Sequence, residues 1–164
     1  MANGFSGSYF YQIDEKGRMR IPTEIRNSLG SGLRIGYGLG KYLVIYTAES
    51  YERESENQMK VNPVTERTQY KYYRNLFLSM MPFECDAQGR FKIPVQFRNE
   101  FGFKDNAEVV VIGNNTTVEI WSKKYFELRN NDDVAYYMVL TDEERKQADE
   151  RLAALEKAKA EDKK

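Results

Sequence analysis

The sequence predicts an α+β fold that is rich in β-structure and contains one structural unit twice. The stretch DEKGRMRIP at residues 14–22 recurs 72 residues later as DAQGRFKIP at residues 86–94. Around each motif lie aromatic or branched apolar runs bounded by turn residues, which is the pattern of short β-strands. Helix-capping residues follow several of these runs, so we expect short helices between the strands. An internal repeat of this kind indicates two tandem units.

A second match fixes the extent of each copy. Ile45-Tyr46-Thr47 aligns with Ile120-Trp121-Ser122, which lies 75 residues later. From the two matches we predict four segments: a first repeat at 5–60, a linker helix at 61–78, a second repeat at 79–130, and a charged tail at 131–164 that is helical or partly disordered.

Each repeat is predicted to carry its basic motif on its own two-stranded hairpin, whose parts are clearest in the first repeat. Residues 9–13 are aromatic and β-prone and indicate a strand. The next four residues carry Asp first and Gly fourth, which suits a type I turn that closes on a left-handed glycine. Residues 18–21 are the predicted return strand. Pro22 then stands at the start of a short helix at 23–29, where its missing N–H costs nothing.

The remaining elements follow from apolar runs and capping residues. In the first repeat, a strand at 42–46 precedes Thr47, which can cap a helix that ends near residue 60. In the second repeat, strands at 109–112 and 118–121 flank an Asn-Asn turn, and Ser122 provides the cap.

Two further helices lie outside the repeats. Asn62 and Pro63 indicate the start of a linker helix that runs over residues 64–80. Thr141 opens a capping box, which predicts a C-terminal helix with eight acidic and seven basic residues from 142 to 164.

Strand alternation places the basic residues of each return strand on one face and the apolar residues on the other. The basic pair is Arg18 and Arg20 in the first repeat, where Lys16 adds a cation at the turn, and Arg90 and Lys92 in the second. A two-stranded ribbon fits the major groove of DNA, where cations can pair with phosphates or with guanine edges. These five residues are the candidate DNA-binding residues, with a solvated basic face as the alternative.

The repeated acidic and glycine residues have a structural interpretation. Asp14 and Asp86 each precede an arginine by four residues, and we expect each aspartate to hold its turn through a salt bridge and an Asx-type bond. Gly17 and Gly89 are expected to satisfy a backbone requirement. For the two arginines, a role in the turn and contact with DNA are both open, and both can hold.

Composition excludes several functional classes. The chain has no histidine and one cysteine, which removes the commonest general base, the commonest metal ligand and any site of paired thiolates. We therefore expect no metal, no cofactor, no small-molecule substrate and no enzymatic activity. Lys and Arg total 25 and so do Asp and Glu, so a polyanion would have to meet a local basic patch. We also expect a cytoplasmic protein with no membrane span, because no apolar run reaches about 18 residues.

The paired motifs resemble the MraZ family of bacterial transcriptional regulators, which are associated with the division and cell-wall gene cluster. The resemblance covers about residues 5–130. It includes Lys16-Gly17-Arg18 with Ile21-Pro22, Gln88-Gly89-Arg90 with Ile93-Pro94, and the run EIWSK at 119–123. Two such motifs in register, with EIWSK after the second, make the match specific.

The resemblance implies a fold of two AbrB-like swapped-hairpin units, of β-barrel type, related by a pseudo-two-fold axis. It implies a ring-shaped homo-oligomer, located at the nucleoid, that binds short direct repeats in the promoter of its own gene cluster, usually as a repressor. Residues 14–18 and 86–90 would then be the segments that contact promoter DNA. The turn of the second motif has Ala87-Gln88 and is less cationic than the first, which leaves open whether both contact DNA equally. An oligomeric interaction protein without specific DNA binding is the alternative.

Overall fold

The computed structural model describes residues 4–163, which fold into an α+β structure with eight strands and several helices. Six strands form one antiparallel sheet in the order β1-β7-β8-β4-β3-β5, and β2 and β6 form a separate ribbon. The strands are β1 Ser8–Gln12, β2 Arg18–Arg20, β3 Arg34–Tyr37, β4 Leu43–Tyr46, β5 Met81–Pro82, β6 Arg90–Lys92, β7 Glu108–Asn114 and β8 Thr117–Ser122.

The two repeats exchange their first strands. At the centre of the sheet, the β3–β4 hairpin of the first repeat meets the β7–β8 hairpin of the second through the β4–β8 pair. Strand β1 pairs with β7 of the other repeat, and β5 pairs with β3. This interleaving is the swapped-hairpin arrangement, and it makes each repeat depend on the other for its sheet.

The predicted hairpin within each repeat is wrong in its pairing. The turn forms, and Asp14 N–H donates to the Arg18 carbonyl at 2.9 Å. Beyond that bond the chain diverges, because β1 continues along β7 while β2 pairs with β6 of the second repeat. Local pattern predicted the strands and the turn, but the choice of partner depends on residues more than seventy positions away.

The main core lies between the inner face of the sheet and the apolar face of the ribbon. Met19 of β2 and Phe91 of β6 are 2% and 5% exposed, and both belong to this core. The helices that follow the two ribbon strands close the core from the sides with Ile25 and Phe97. Both repeats contribute to this one cluster, so its apolar surface is buried only when they are interleaved.

The helices lie around this centre. They are α1 Thr23–Leu29, α2 Ala48–Met59, α3 Arg67–Ser79, α4 Val95–Arg98, α5 Lys123–Phe126, α6 Asp132–Ala135 and α7 Asp142–Asp162, with a 3₁₀ turn at Tyr137–Val139. None of these helices is long and apolar enough to cross a bilayer, as judged over residues 4–163.

The capping predictions are confirmed at three helices. Thr47 and Thr141 each form a full capping box, and Ser122 accepts from the Tyr125 N–H. The linker helix begins later than predicted, at Arg67, because Asn62 Oδ1 accepts from the backbone N–H groups of residues 64 and 65 and holds them in a turn. Strand β3 and the two-residue β5 were not predicted from the sequence.

The outer face of the sheet carries two groups of helices. Leu76 of α3 packs on Val44 and Tyr46 of β4. Beside this group, on the same outer face, Val134 and Leu152 from the C-terminal segment pack against Trp121 of β8. The ribbon therefore lies on the opposite side of the sheet from α3 and α7.

Candidate nucleic-acid interface

The first motif turn, residues 14–18, is held by one carboxylate. Asp14 Oδ1 accepts from the backbone N–H groups of Lys16 and Arg18, each at 2.9 Å, and Oδ2 accepts from Arg18 Nε at 2.9 Å. The Gly17 N–H donates to the Asp14 carbonyl at 2.9 Å, and Gly17 has φ of 77°. A left-handed residue is required here, which glycine supplies without strain.

The second motif turn, residues 86–90, repeats this geometry. Asp86 Oδ1 accepts from the N–H groups of Gln88 and Arg90 at 2.9 Å, and Oδ2 accepts from Arg90 Nε at 2.9 Å. Gly89 has φ of 76° and donates to the Asp86 carbonyl at 3.0 Å. The side chains that differ between the turns, at residues 15–16 and 87–88, are all exposed and take no part in these bonds.

Both aspartates are stabilised as carboxylates. The pKa of Asp14 is lowered from its usual value, chiefly by the backbone N–H of Arg18, and the pKa of Asp86 is lowered chiefly by the backbone N–H of Arg90. Each arginine side chain adds a further hydrogen bond to the ionised form. The turns therefore keep their charged pairs at neutral pH.

The cationic ribbon, formed by β2 and β6, places four basic side chains together. Its register pairs Arg18 with Lys92 and Arg20 with Arg90, on either side of the buried pair Met19 and Phe91. The predicted alternation of faces is confirmed by the burial of the apolar pair. The expectation that each repeat forms its own ribbon is wrong, because the ribbon takes one strand from each repeat.

Backbone bonds lock the two motif turns to the ribbon. The Ile21 N–H donates to the Gly89 carbonyl at 2.9 Å, and the Ile93 N–H donates to the Gly17 carbonyl at 3.3 Å. Each glycine carbonyl therefore accepts from the return strand of the other repeat. As a result, the two turns and the four ribbon cations form one continuous surface.

The five candidate DNA-binding residues fall into two groups by their contacts. Arg18 and Arg90 are 32% and 31% exposed in their side chains, and each donates through Nε to its aspartate. Lys16, Arg20 and Lys92 are exposed. Across residues 4–163, the side chains of these three make no hydrogen bond or ion pair within the molecule.

Two further arginines, which are not among the five candidates predicted from the sequence, also reach this surface. Arg26 on α1 donates through Nη1 to the Ala87 carbonyl of the second motif turn at 3.3 Å. Arg98 on α4 donates through Nε to the Ile93 carbonyl at 3.2 Å, and its guanidinium lies over Gly17 of the first motif turn. Arg26 and Arg98 lie 72 residues apart, at equivalent positions of the repeat, and this was a usable signal. Only the structure shows that each contacts the turn of the other repeat.

Comparison with known proteins gives a consistent result. The family model described as MraZ protein matches residues 5–71 and again residues 76–152. A protein of Alkaliphilus oremlandii, described as transcriptional regulator MraZ, is 35% identical over 133 residues, which are 81% of this chain and 91% of the relative. Relatives described in the same words are 35% identical over 131 residues in Thermoanaerobacter sp. (79% and 90% of the two chains) and 33% identical over 138 residues in Finegoldia magna (84% and 94%).

Proposed function

Because the chain belongs to the MraZ family, we propose that it is a sequence-specific, DNA-binding transcriptional regulator. The observation that carries the proposal is the cationic ribbon, in which Arg18, Arg20, Arg90 and Lys92 share one face. A two-stranded β-ribbon has the dimensions to enter the major groove, where base edges are distinguishable. The relatives' description as transcriptional regulators supports the same function.

The aspartates prepare the arginines for this contact. Asp14 and Asp86 occupy the Nε of Arg18 and Arg90, which holds each guanidinium in one orientation and leaves its terminal nitrogens for an acceptor on DNA. A side chain that is ordered before binding loses less conformational entropy on binding. The exposed cations Lys16, Arg20 and Lys92 supply phosphate contacts beside them, which fix the position of the protein on the duplex.

We further propose that the protein binds short direct repeats in the promoter of its own division and cell-wall gene cluster and represses transcription of that cluster. A ring-shaped homo-oligomer at the nucleoid would present the cationic ribbon several times. Contacts to successive repeats would then add through effective concentration. Native mass spectrometry of the full chain tests the ring directly, and a monomer at micromolar concentration would contradict it.

The first experiment compares two duplexes at two salt concentrations. Fluorescence anisotropy measures binding of the full chain to its own upstream region and to a scrambled duplex. We expect tighter binding to the upstream region, and weaker binding to both at higher salt because phosphate contacts release counterions. Equal, weak binding to both duplexes would instead favour an oligomeric interaction protein without specific DNA binding.

A double variant of the cationic ribbon, compared with a matched double variant elsewhere, locates the DNA-binding surface. The double substitution Arg20→Ala, Lys92→Ala removes exposed cations that make no side-chain bond to residues 4–163, so we expect the turns to stay intact while DNA affinity falls. The matched control is Lys146→Ala, Lys157→Ala on α7, which removes the same charge from the far side of the sheet. If both doubles weakened binding equally, the ribbon would be excluded as the contact surface.

A further inference from the structure

The short helix of each repeat carries one arginine that contacts the motif turn of the other repeat. Arg26 lies against Gly89, where an added Cβ would stand 2.7 Å from its Nη1. At Gly17 an added Cβ would overlap the Arg98 guanidinium, which occupies that space. Both turns therefore depend on glycine for two reasons, the left-handed backbone and the close approach of an arginine.

These contacts are connected to the bonds that join the repeats. The Ile93 carbonyl accepts from Arg98 Nε, while the Ile93 N–H donates to the Gly17 carbonyl. Arg98 therefore bonds to the carbonyl of the same residue whose N–H bonds to the first motif turn. Arg26 bonds to the second motif turn itself, through the Ala87 carbonyl.

The two arginines are not equivalent in their surroundings. Nη2 of Arg98 is buried and has no hydrogen-bond partner among residues 4–163. Arg26 makes its contact with Ala87 at an exposed position. A buried guanidinium nitrogen without a hydrogen-bond partner is energetically unfavourable.

We propose that Arg26 and Arg98 are positioning residues that brace the motif turns crosswise, so that each repeat sets the turn geometry of the other. The proposal rests on the proposed function in that the braced turns are the ones that face DNA. Arg98 acts on the first motif turn, residues 14–18, and Arg26 acts on the second, residues 86–90. The braces fix the spacing and orientation of the two aspartate-held arginines on the ribbon.

Because each arginine is proposed to hold the turn of the other repeat, the proposal can be tested without DNA. Hydrogen exchange followed by mass spectrometry compares the two turns in the full chain. Arg98→Lys keeps the charge but loses the planar guanidinium, and it is expected to speed exchange in residues 14–18 while leaving residues 86–90 unchanged. Arg26→Lys is expected to do the reverse. Faster exchange confined to the substituted residue's own repeat would overturn the proposal.

Controls separate bracing from general destabilisation. Arg74→Lys changes an exposed arginine on α3 that lies over the Tyr70 ring, and it should alter exchange in neither turn. If Arg98→Lys unfolds the protein, Arg26→Lys still decides the question, because its contact is exposed. An unchanged second turn in Arg26→Lys would then contradict the crosswise brace by itself.

DNA binding provides a second readout that distinguishes a brace from a phosphate contact. A lysine can replace an arginine at a phosphate, so a direct contact would survive either substitution. A brace would instead lower the preference for the upstream region over the scrambled duplex by roughly tenfold, with non-specific binding and its salt dependence retained. If the chain binds no DNA, the exchange experiment still tests the brace, so the two proposals fail separately.

Discussion

The two motif turns have the same internal bonds but are held differently by the rest of the molecule. In each turn an aspartate accepts from two backbone N–H groups and from an arginine Nε at 2.9 Å. From outside, Gly89 accepts from Ile21 at 2.9 Å, whereas Gly17 accepts from Ile93 at 3.3 Å. The Asp-x-x-Gly-Arg pattern therefore fixes the turn locally, while distant contacts decide how firmly the turn is held.

The two repeats also differ in the size of the side chains that they contribute to the shared core. Ile25 in α1 corresponds to Phe97 in α4, and Leu29 corresponds to Phe101. Phe97 and Phe101 both contact the Tyr37 ring edge-on, with centroids 5.0 and 5.2 Å away. The second repeat therefore fills its side of the shared core with larger, aromatic side chains. This asymmetry can be measured by matched substitutions.

The largest effect is expected from truncation in the core. Phe97→Ala should lower the free energy of unfolding by about 4 kcal/mol and Ile25→Ala by about 3 kcal/mol, because the phenylalanine leaves the larger cavity. Both residues are buried, at 0% and 3% exposure. Urea unfolding followed by circular dichroism measures the difference. A larger loss of unfolding free energy for Ile25→Ala would show that core packing by α1 contributes more to stability than core packing by α4.

The next largest loss of stability is expected from substitution of the two motif-turn glycines, Gly17 and Gly89. Gly17→Ala should cost about 3 kcal/mol and Gly89→Ala about 2 kcal/mol, because alanine strains both left-handed positions and must also displace an arginine. Arg26 has an exposed contact and can move aside more easily than Arg98, whose Nη2 is buried. The same unfolding measurement applies to both.

Gly30 provides the control for backbone strain alone. It has φ of 74° and ψ of −154°, a region adopted almost only by glycine, and among residues 4–163 no atom lies within 4 Å of an added Cβ, so Gly30→Ala should cost about 2 kcal/mol from backbone strain without a clash. If Gly17→Ala cost no more than Gly30→Ala, the guanidinium over Gly17 would have no energetic consequence.

The local parts of the site could be predicted from the sequence. The turn, the left-handed glycine and the alternation of basic and apolar residues depend on neighbours within a few positions. Capping by Thr47 and Thr141 was predictable for the same reason. Strand β3 was missed because Gly36 interrupts its apolar run, and β5 because it has only two residues and ends at Pro82.

The exchange between repeats could not be predicted from local pattern. Residues 18–21 have the same alternation whether they pair with β1 or with β6, since strand pairing is decided by the burial of both faces in the whole fold. The partners of Arg26 and Arg98 follow from that exchange. The repeat showed that both arginines recur, but it did not show that each contacts the turn of the other repeat.

A smaller effect tests whether both turns contact DNA. Lys16 and Gln88 are equivalent, and both are exposed. Lys16→Gln should weaken DNA binding and lower the slope of log affinity against log salt by about one, whereas Gln88→Lys should strengthen binding and raise that slope by about one. Anisotropy titration over several salt concentrations measures both. A slope that changes only with Lys16→Gln would restrict phosphate contact to the first motif turn.

The smallest effect concerns the feature that the two turns share. The pKa of Asp14 and of Asp86 is lowered in the folded protein, so each ionised carboxylate stabilises the fold above its unfolded pKa. This stabilisation is lost as pH falls through the lowered pKa. Asp14→Asn and Asp86→Asn should each remove part of this acid dependence, as measured by urea unfolding at a series of pH values between about 7 and 2.

We expect the two asparagine variants to lose equal stability at neutral pH and to converge with the native protein in acid. The two carboxylates make the same bonds and have similar side-chain exposure, 40% for Asp14 and 42% for Asp86. Equal aspartate effects together with unequal glycine effects would place the difference between the turns in the contacts from the opposite repeat. Unequal aspartate effects would show instead that the exposed residues between the aspartate and the glycine, Glu15-Lys16 and Ala87-Gln88, change the turn itself.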